Sequence, residues 1–73
     1  MNNKKLREAP MKNKIKEARF FAGMIQDELH LKTGLSQTKI SRIERGYIKP
    51  SKGDRKLIAK ALKKSVKEIF PET

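Results

Sequence analysis

The sequence contains no cysteine, and this absence excludes several classes of small protein. Without thiols, a chain of 73 residues can form neither a disulfide framework nor a thiolate zinc site. Its length supports one small domain at most. Such a domain must therefore be stabilised by a well-patterned apolar core, and local helical contacts are the simplest way to build one.

Residues suited to catalysis and stacking are also scarce, with one histidine, no tryptophan, one tyrosine and three phenylalanines. Because the chain offers no nucleophile and base pair, we expect no enzymatic activity, cofactor, metal ion or small-molecule ligand. No 18 apolar residues occur together and the first 11 residues lack a signal-like apolar run. We therefore expect a cytoplasmic protein that does not enter a membrane.

Positive charge is abundant, since 19 lysines and arginines stand against eight acidic residues and give a net charge of +11. This balance indicates an anionic partner, either nucleic acid or an anionic membrane surface. A membrane-active peptide needs one long amphipathic helix, whereas glycines and Pro50 divide this chain into short segments. Nucleic acid is the favoured partner.

The spacing of apolar residues predicts an all-α fold of five helices over residues 11–73, preceded by a short basic N-terminal arm over residues 1–10. The first helix is predicted to bury a stripe formed by Met11, Ile15, Ala18 and Ala22. The adjacent Phe20 and Phe21 cannot both face that stripe, so we expect one to cover the core and the other to be partly exposed or to pack under the arm.

Capping residues and glycines set the remaining predicted helices. The second spans Gln26 to about Lys32, and the third follows Ser36 and runs to about Arg45, with Ile40, Ile43 and, as a candidate, Tyr47 facing inward. Two capping boxes, Ser51 with Asp54 and Ser65 with Glu68, begin the fourth and fifth helices. The fourth is predicted to bury Leu57, Ile58, Ala61 and Leu62, and the fifth Val66, Ile69 and Phe70.

The second and third helices are joined by a three-residue turn, which projects the third helix outward. Its outward face carries Gln37, Thr38, Ser41 and Arg42, with Lys39 and Arg45 beside them. These side-chain types contact base edges in the major groove: Gln pairs with adenine, Arg with guanine, and Thr meets the thymine methyl. A solvated polar surface would show the same composition, so both readings stay open at this point.

The first turn of the third helix has no acidic residue, unlike those of the second, fourth and fifth helices. Lys39 there opposes the helix dipole, an arrangement that makes sense if this end is expected to bind a phosphate. A second pattern lies inside the fold. Arg19 on the stripe of the first helix and Glu44 on the inner side of the third could not be buried singly, so we expect them to pair. The alternative is that both lie at the edge of the stripe with their charged groups in water.

The motif Gln26-x-x-Leu29-x-x-x-x-Gly34-Leu35-Ser36-x-x-x-Ile40-Ser41-x-Ile43-Glu44-x-Gly46, followed by Lys49-Pro50-Ser51, resembles the Cro/repressor type of helix-turn-helix, the XRE family. The resemblance covers about residues 13–70. It implies a lambda-repressor-like domain that binds double-stranded DNA sequence-specifically, as a homodimer and most simply as a transcriptional repressor, with residues 36–45 in the major groove.

The resemblance also implies a role for each matching residue. Gln37, Thr38, Ser41 and Arg42 would contact bases; Gln26, Ser36, Lys39, Arg45 and Lys49 would contact phosphates; Arg19 and Glu44 would form the internal salt bridge. The arm would either follow the DNA or be an unstructured start. An antitoxin, another partner-binding regulator of the same fold, and a basic RNA-binding protein remain alternatives. His30 stands where the family has a small residue, and we expect its ring to fill a slightly wider helix crossing.

Overall fold

The structure is a computed structural model that describes residues 12–71, and within this range it contains five helices and no strand. The helices are α1 (Ile15–Ala22), α2 (Gln26–Thr33), α3 (Gln37–Glu44), α4 (Lys52–Ala61) and α5 (Val66–Ile69). The predicted all-α, five-helix architecture is confirmed. Residues 1–10, predicted as an arm, and Met11, predicted on the apolar stripe, lie outside the described residues.

Serine side chains begin three of the five helices. The Oγ atoms of Ser36, Ser51 and Ser65 each accept a hydrogen bond from the backbone N–H three residues later. Asp54 and Glu68 complete capping boxes by accepting the N–H of Ser51 and Ser65, at 3.3 and 2.8 Å. These short-range bonds explain why the starts of α3, α4 and α5 are so well marked in the sequence.

One apolar cluster receives side chains from all five helices. Its buried members are Ile15, Leu29, Ile40, Ile43, Ile58, Ala59, Leu62, Ile69 and Phe70. The segment before α1 is hydrogen-bonded to two other parts of the fold. The Lys14 N–H donates to the Ile69 carbonyl at 2.8 Å. In addition, Asn13 Nδ2 donates to the Ile43 carbonyl at 2.7 Å. α1 is thereby held against α3 and α5.

Three residues predicted to be buried are exposed. Ala22 is exposed at the last position of α1. Leu57 is 43% exposed because the inward side of α4 is centred on Ile58 and on Leu62, one turn later. Tyr47 is 67% exposed, since Gly46 adopts a φ of +79° and turns the chain out of the helical path that had placed the tyrosine inside.

The expectation that one of Phe20 and Phe21 covers the core is also wrong, since both rings are 78% exposed. On a helix with about 100° per residue, these positions lie about 140° and 240° from Ile15, which is fully buried. Both therefore point away from the core. Their rings contact each other edge to face, with centroids 5.7 Å apart.

Two neighbours on α4 provide a test of the packing. We expect Ile58→Ala to lower the free energy of unfolding by about 2–5 kcal/mol, because it leaves a cavity in the core. Leu57→Ala should change it by less than about 0.5–1 kcal/mol. Urea unfolding followed by circular dichroism measures both, and equal losses would show that the inward side of α4 is misassigned.

Candidate nucleic-acid interface

Side-chain hydrogen bonds fix the turn between α2 and α3. Thr33 Oγ1 donates to the Leu29 carbonyl at 2.8 Å and accepts the Leu35 N–H at 3.1 Å. His30 Nδ1 lies 2.6 Å from the Leu35 carbonyl, so Nδ1 carries a hydrogen and donates it across the turn. The space-filling role expected of His30 did not include this bond. Together with the left-handed Gly34, φ +79°, these contacts set the direction of α3.

α3 has one buried and one exposed side. Ile40 and Ile43 are 0% exposed and belong to the core. On the other side, Gln37, Thr38 and Arg42 are exposed, and Ser41 is half-exposed. Among residues 12–71, none of these four polar side chains takes part in a hydrogen bond or ion pair. Their donors and acceptors are available to a ligand.

These side chains line one shallow groove of about 770 Å³. Its lining consists of Gln26, Gln37, Thr38, Ser41, Arg42, Arg45, Tyr47 and Ile48. Six of the eight are among the candidate contact residues named from the sequence. They come from the start of α2, the outward side of α3 and the loop after it, so the fold assembles them from three separate elements.

Tyr47 and Ile48 are groove residues that the sequence did not indicate. The Tyr47 N–H donates to the Arg42 carbonyl at 2.8 Å, which holds the residue against the end of α3. The Arg45 guanidinium carbon lies 6.0 Å from the centre of the tyrosine ring, at the outer range of a cation–π contact. An aromatic residue directly after the helix-ending Gly46 was the available signal, but it was counted with the core.

Three other candidate phosphate contacts lie outside this groove. Ser36 is exposed at the start of α3 and accepts the Lys39 N–H at 3.0 Å, while Lys49 is exposed in the following loop. Lys39 is directed elsewhere, because its Nζ lies 3.1 Å from Asp54 Oδ2. This ion pair connects the first turn of α3 to the first turn of α4.

The Glu44 carboxylate and the side chains that donate to it hold the other end of α3, and we call this group the carboxylate cluster. Arg19 Nε and Nη2 donate to Glu44 Oε2 and Oε1 at 2.5 and 3.2 Å, and Arg19 Nη1 donates to the Met24 carbonyl at 3.0 Å. Gln26 Nε2 donates to Glu44 Oε1 at 3.2 Å. Only 14% of the arginine and 6% of the glutamate side chain are exposed. Glu44 therefore holds α1, α2 and α3 in one arrangement.

The first turn of α3 contains no acidic residue, so the positive end of its dipole is not neutralised from within the helix. The nearest acid, Asp54, belongs to α4. Burial alone would raise the pKa of Asp54, but the Lys39 ion pair and the hydrogen bonds with Ser51 outweigh it and lower the pKa below the usual 3.8. Asp54 is thus ionised at neutral pH, and its charge is compensated by Lys39.

A family model described as a helix-turn-helix matches residues 15–69, which include every helix of the structure. A solved structure is also similar, that of the restriction-modification controller protein C.AhdI from Aeromonas hydrophila, at 28% identity with a TM-score of 0.74. That likeness covers 78% of this chain and 86% of the other. No curated protein matches the chain at a significant level.

The fold and groove define the class of DNA-binding helix-turn-helix proteins, and the chain belongs to the family that the matching model describes. It is a DNA-binding regulator of transcription and not an enzyme. No helix within residues 12–71 is long and apolar enough to cross a membrane.

Removal of Arg19 tests the carboxylate cluster. We expect Arg19→Ala to lower the free energy of unfolding by about 3 kcal/mol, because it leaves the Glu44 charge in a mostly buried place with only Gln26 as a partner. Lys16→Ala, on the exposed side of the same helix, should change stability by less than about 0.5 kcal/mol. An unchanged melting temperature in the Arg19 variant would contradict the structural role.

The lowered pKa of Asp54 predicts a pH dependence. Because the folded-state pKa lies below the unfolded value, the stabilisation is present above about pH 4 and is lost as the pH falls through the folded-state pKa. Asp54→Asn should therefore cost about 1.5 kcal/mol at pH 7, and the difference from the wild type should shrink at lower pH. Urea unfolding from pH 7 to about pH 2.5 measures this. A constant difference would contradict it, and Asp27→Asn serves as an exposed control.

Proposed function

We propose that the protein binds a specific duplex DNA sequence through α3 and represses transcription by occupying that site. The observation that carries this proposal is the division of α3 into a fully buried apolar side and an exposed side of four uncommitted polar side chains. A helix end without acidic residues and a net charge of +11 suit a polyanion.

Base contacts are assigned to the outward side of α3. Arg42 suits a bidentate contact with guanine and Gln37 with adenine, while Thr38 can meet a thymine methyl group. Ser41 lies beside them, and its hydroxyl can donate a hydrogen bond to a base edge. Tyr47 borders the same groove, where its hydroxyl could donate to the DNA backbone.

Phosphate contacts are assigned to residues around the groove. Gln26 Nε2 carries two hydrogens, of which Glu44 takes one, so the other can be donated to a phosphate. Ser36 accepts a backbone bond and keeps its hydroxyl hydrogen for the same purpose. Arg45 and Lys49 supply charge. The ammonium group of Lys39 is bound to Asp54 and would contact a phosphate with its remaining hydrogens.

The size of α3 supports a homodimer on DNA. Eight residues at about 1.5 Å per residue span about 12 Å, which is the length of three to four base pairs. At about 1–3 kcal/mol per base pair, so short a site gives limited discrimination. Two copies on half-sites about one helical turn apart would double the number of bases contacted. Repression follows most simply, since a bound dimer blocks the polymerase from the same DNA.

Selection of bound duplexes from a random pool tests the proposal. We expect a two-fold symmetric motif to be enriched, and binding to fall about a thousandfold between 50 and 200 mM salt if about six phosphates are contacted. Absence of any enriched motif would contradict sequence-specific binding, and an asymmetric motif would contradict the dimer. Placing the selected site over a promoter in a transcription assay then tests repression, which a rise in transcript would contradict.

Two substitutions separate the proposed roles. Arg42→Ala should relax the preference at one base position of the motif, at a cost of about 1–3 kcal/mol for the preferred base. Lys49→Ala should weaken all sequences alike and reduce the salt dependence by about one phosphate. Binding curves over a panel of single-base variants measure both effects. Identical profiles for the two variants would show that α3 is not the recognition helix.

A further inference from the structure

An aromatic surface on the side of α1 lies outside the proposed DNA interface, and its two rings are exposed and point away from the core. We define it by Phe20 and Phe21, the exposed Ile25 and the half-buried Met24. Exposure of two adjacent large apolar rings is costly in water, and contiguous apolar patches on small domains commonly mark interaction sites. The edge-to-face contact between the rings keeps them together as one anchor point.

Two grooves flank this aromatic surface. One, of about 860 Å³, runs along α1 to the loop before α2, and Phe20, Phe21, Met24 and Ile25 are among its lining residues. The other, of about 430 Å³, lies between α1 and α5, and Phe21 lines it as well. Because Glu17 and Phe21 line both, the two grooves adjoin along α1, and we call them together the concave track.

Four lysines line this track, namely Lys14, Lys16, Lys64 and Lys67. None has an acidic partner within 4 Å among residues 12–71. Two acids, Glu17 and Glu68, also line the track. Arg19 at the rim is neutralised by Glu44. Four lysines against two glutamates therefore leave a net excess of two positive charges around the aromatic surface.

We propose that the aromatic surface is a docking site for a protein segment that carries acidic side chains around an apolar anchor. The net positive charge of the rim disfavours a second copy of this chain, which carries the same excess, and favours an acidic partner. The concave track suits an inserted segment better than a flat lipid surface, and α1, with eight residues, is short for a membrane-surface helix.

The docking site and the proposed DNA interface are neighbours without a shared residue. Ile25 lines the track and Gln26, the next residue, lines the DNA groove. A segment bound to the aromatic surface would therefore lie beside the duplex without displacing it. The inference does not depend on the proposed function, since the segment contacts a different face.

A designed peptide of about 15 residues, with leucines at helical spacing and glutamates elsewhere, is a suitable probe. A scrambled peptide of the same composition and one with lysines in place of glutamates are its controls. Binding to the full chain is measured by fluorescence anisotropy, and the contacted residues by amide chemical shifts. The double variant Phe20→Ser/Phe21→Ser is compared with Leu31→Ser, which removes an equally exposed leucine that lines none of the three grooves.

We expect the acidic amphipathic peptide to bind most tightly and to shift resonances of α1 and α5. The double phenylalanine variant should weaken it about tenfold or more, while Leu31→Ser leaves it unchanged. Both variants should keep the wild-type circular dichroism spectrum and DNA affinity. Binding of the peptide should persist when a mixed-sequence duplex of about 20 base pairs is bound.

Several results would overturn the proposal. If the acidic peptide binds the wild type and the double variant equally, the phenylalanines are not its anchor and charge alone explains binding. If the lysine peptide binds as tightly as the acidic one, the partner need not be acidic. Self-association in sedimentation that the double variant abolishes would identify a second copy as the occupant. Phenylalanine-dependent binding to phosphatidylglycerol vesicles, without binding of the peptide, would identify a membrane surface instead.

Discussion

The Glu44 carboxylate is the group on which the arrangement of the DNA-binding helices depends. It lies at the last position of α3, where it accepts hydrogen bonds from Arg19 of α1 and Gln26 of α2. A charge that is 94% buried would be unfavourable without these partners, so the three helices are constrained to the geometry that supplies them. The Lys39–Asp54 ion pair holds the opposite end of α3 against α4 in a similar way.

The need for such contacts follows from the length of the helices. None of the five in the described part of the chain exceeds ten residues, and isolated helices of this length are unstable in water. The outward side of α3 therefore exists as a defined surface only while its inward side is packed. For this reason the buried isoleucines contribute as much to the DNA-binding geometry as the polar residues do.

Much of this structure could be predicted from local signals in the sequence. Serine caps, capping boxes and helix-ending glycines are short-range features, and they placed the helix boundaries within one or two residues, except for the start of α1. The predicted stripe began at Met11, whereas α1 begins at Ile15 and residues 12–14 are not helical. The predictions failed where a side chain's environment depends on distant elements. Tyr47 looked like a continuation of a helical stripe, but a left-handed Gly46 interrupts that periodicity. For α4, the core-facing side was predicted to include Leu57, whereas it is centred on the next residue, Ile58.

The same distinction applies within the candidate site. The outward side of α3 could be predicted from the spacing of its residues, because its inward side is strongly apolar. The partner of Lys39 could not, because Asp54 lies 15 residues away and already had an assignment as a helix cap. The exposure of both Phe20 and Phe21 could not be predicted either, because the apolar character of a side chain by itself favours a place in the core.

The four side chains at the outward face of α3 have one further consequence. Because they form no hydrogen bond or ion pair with the rest of residues 12–71, the domain does not require their identities in order to fold. Under the proposed function, substitutions there are restrained mainly by the nucleic acid. Duplicated copies of such a gene could acquire new target sequences in few mutational steps without first passing through unfolded intermediates, and the scaffold would remain recognisable after its targets had diverged.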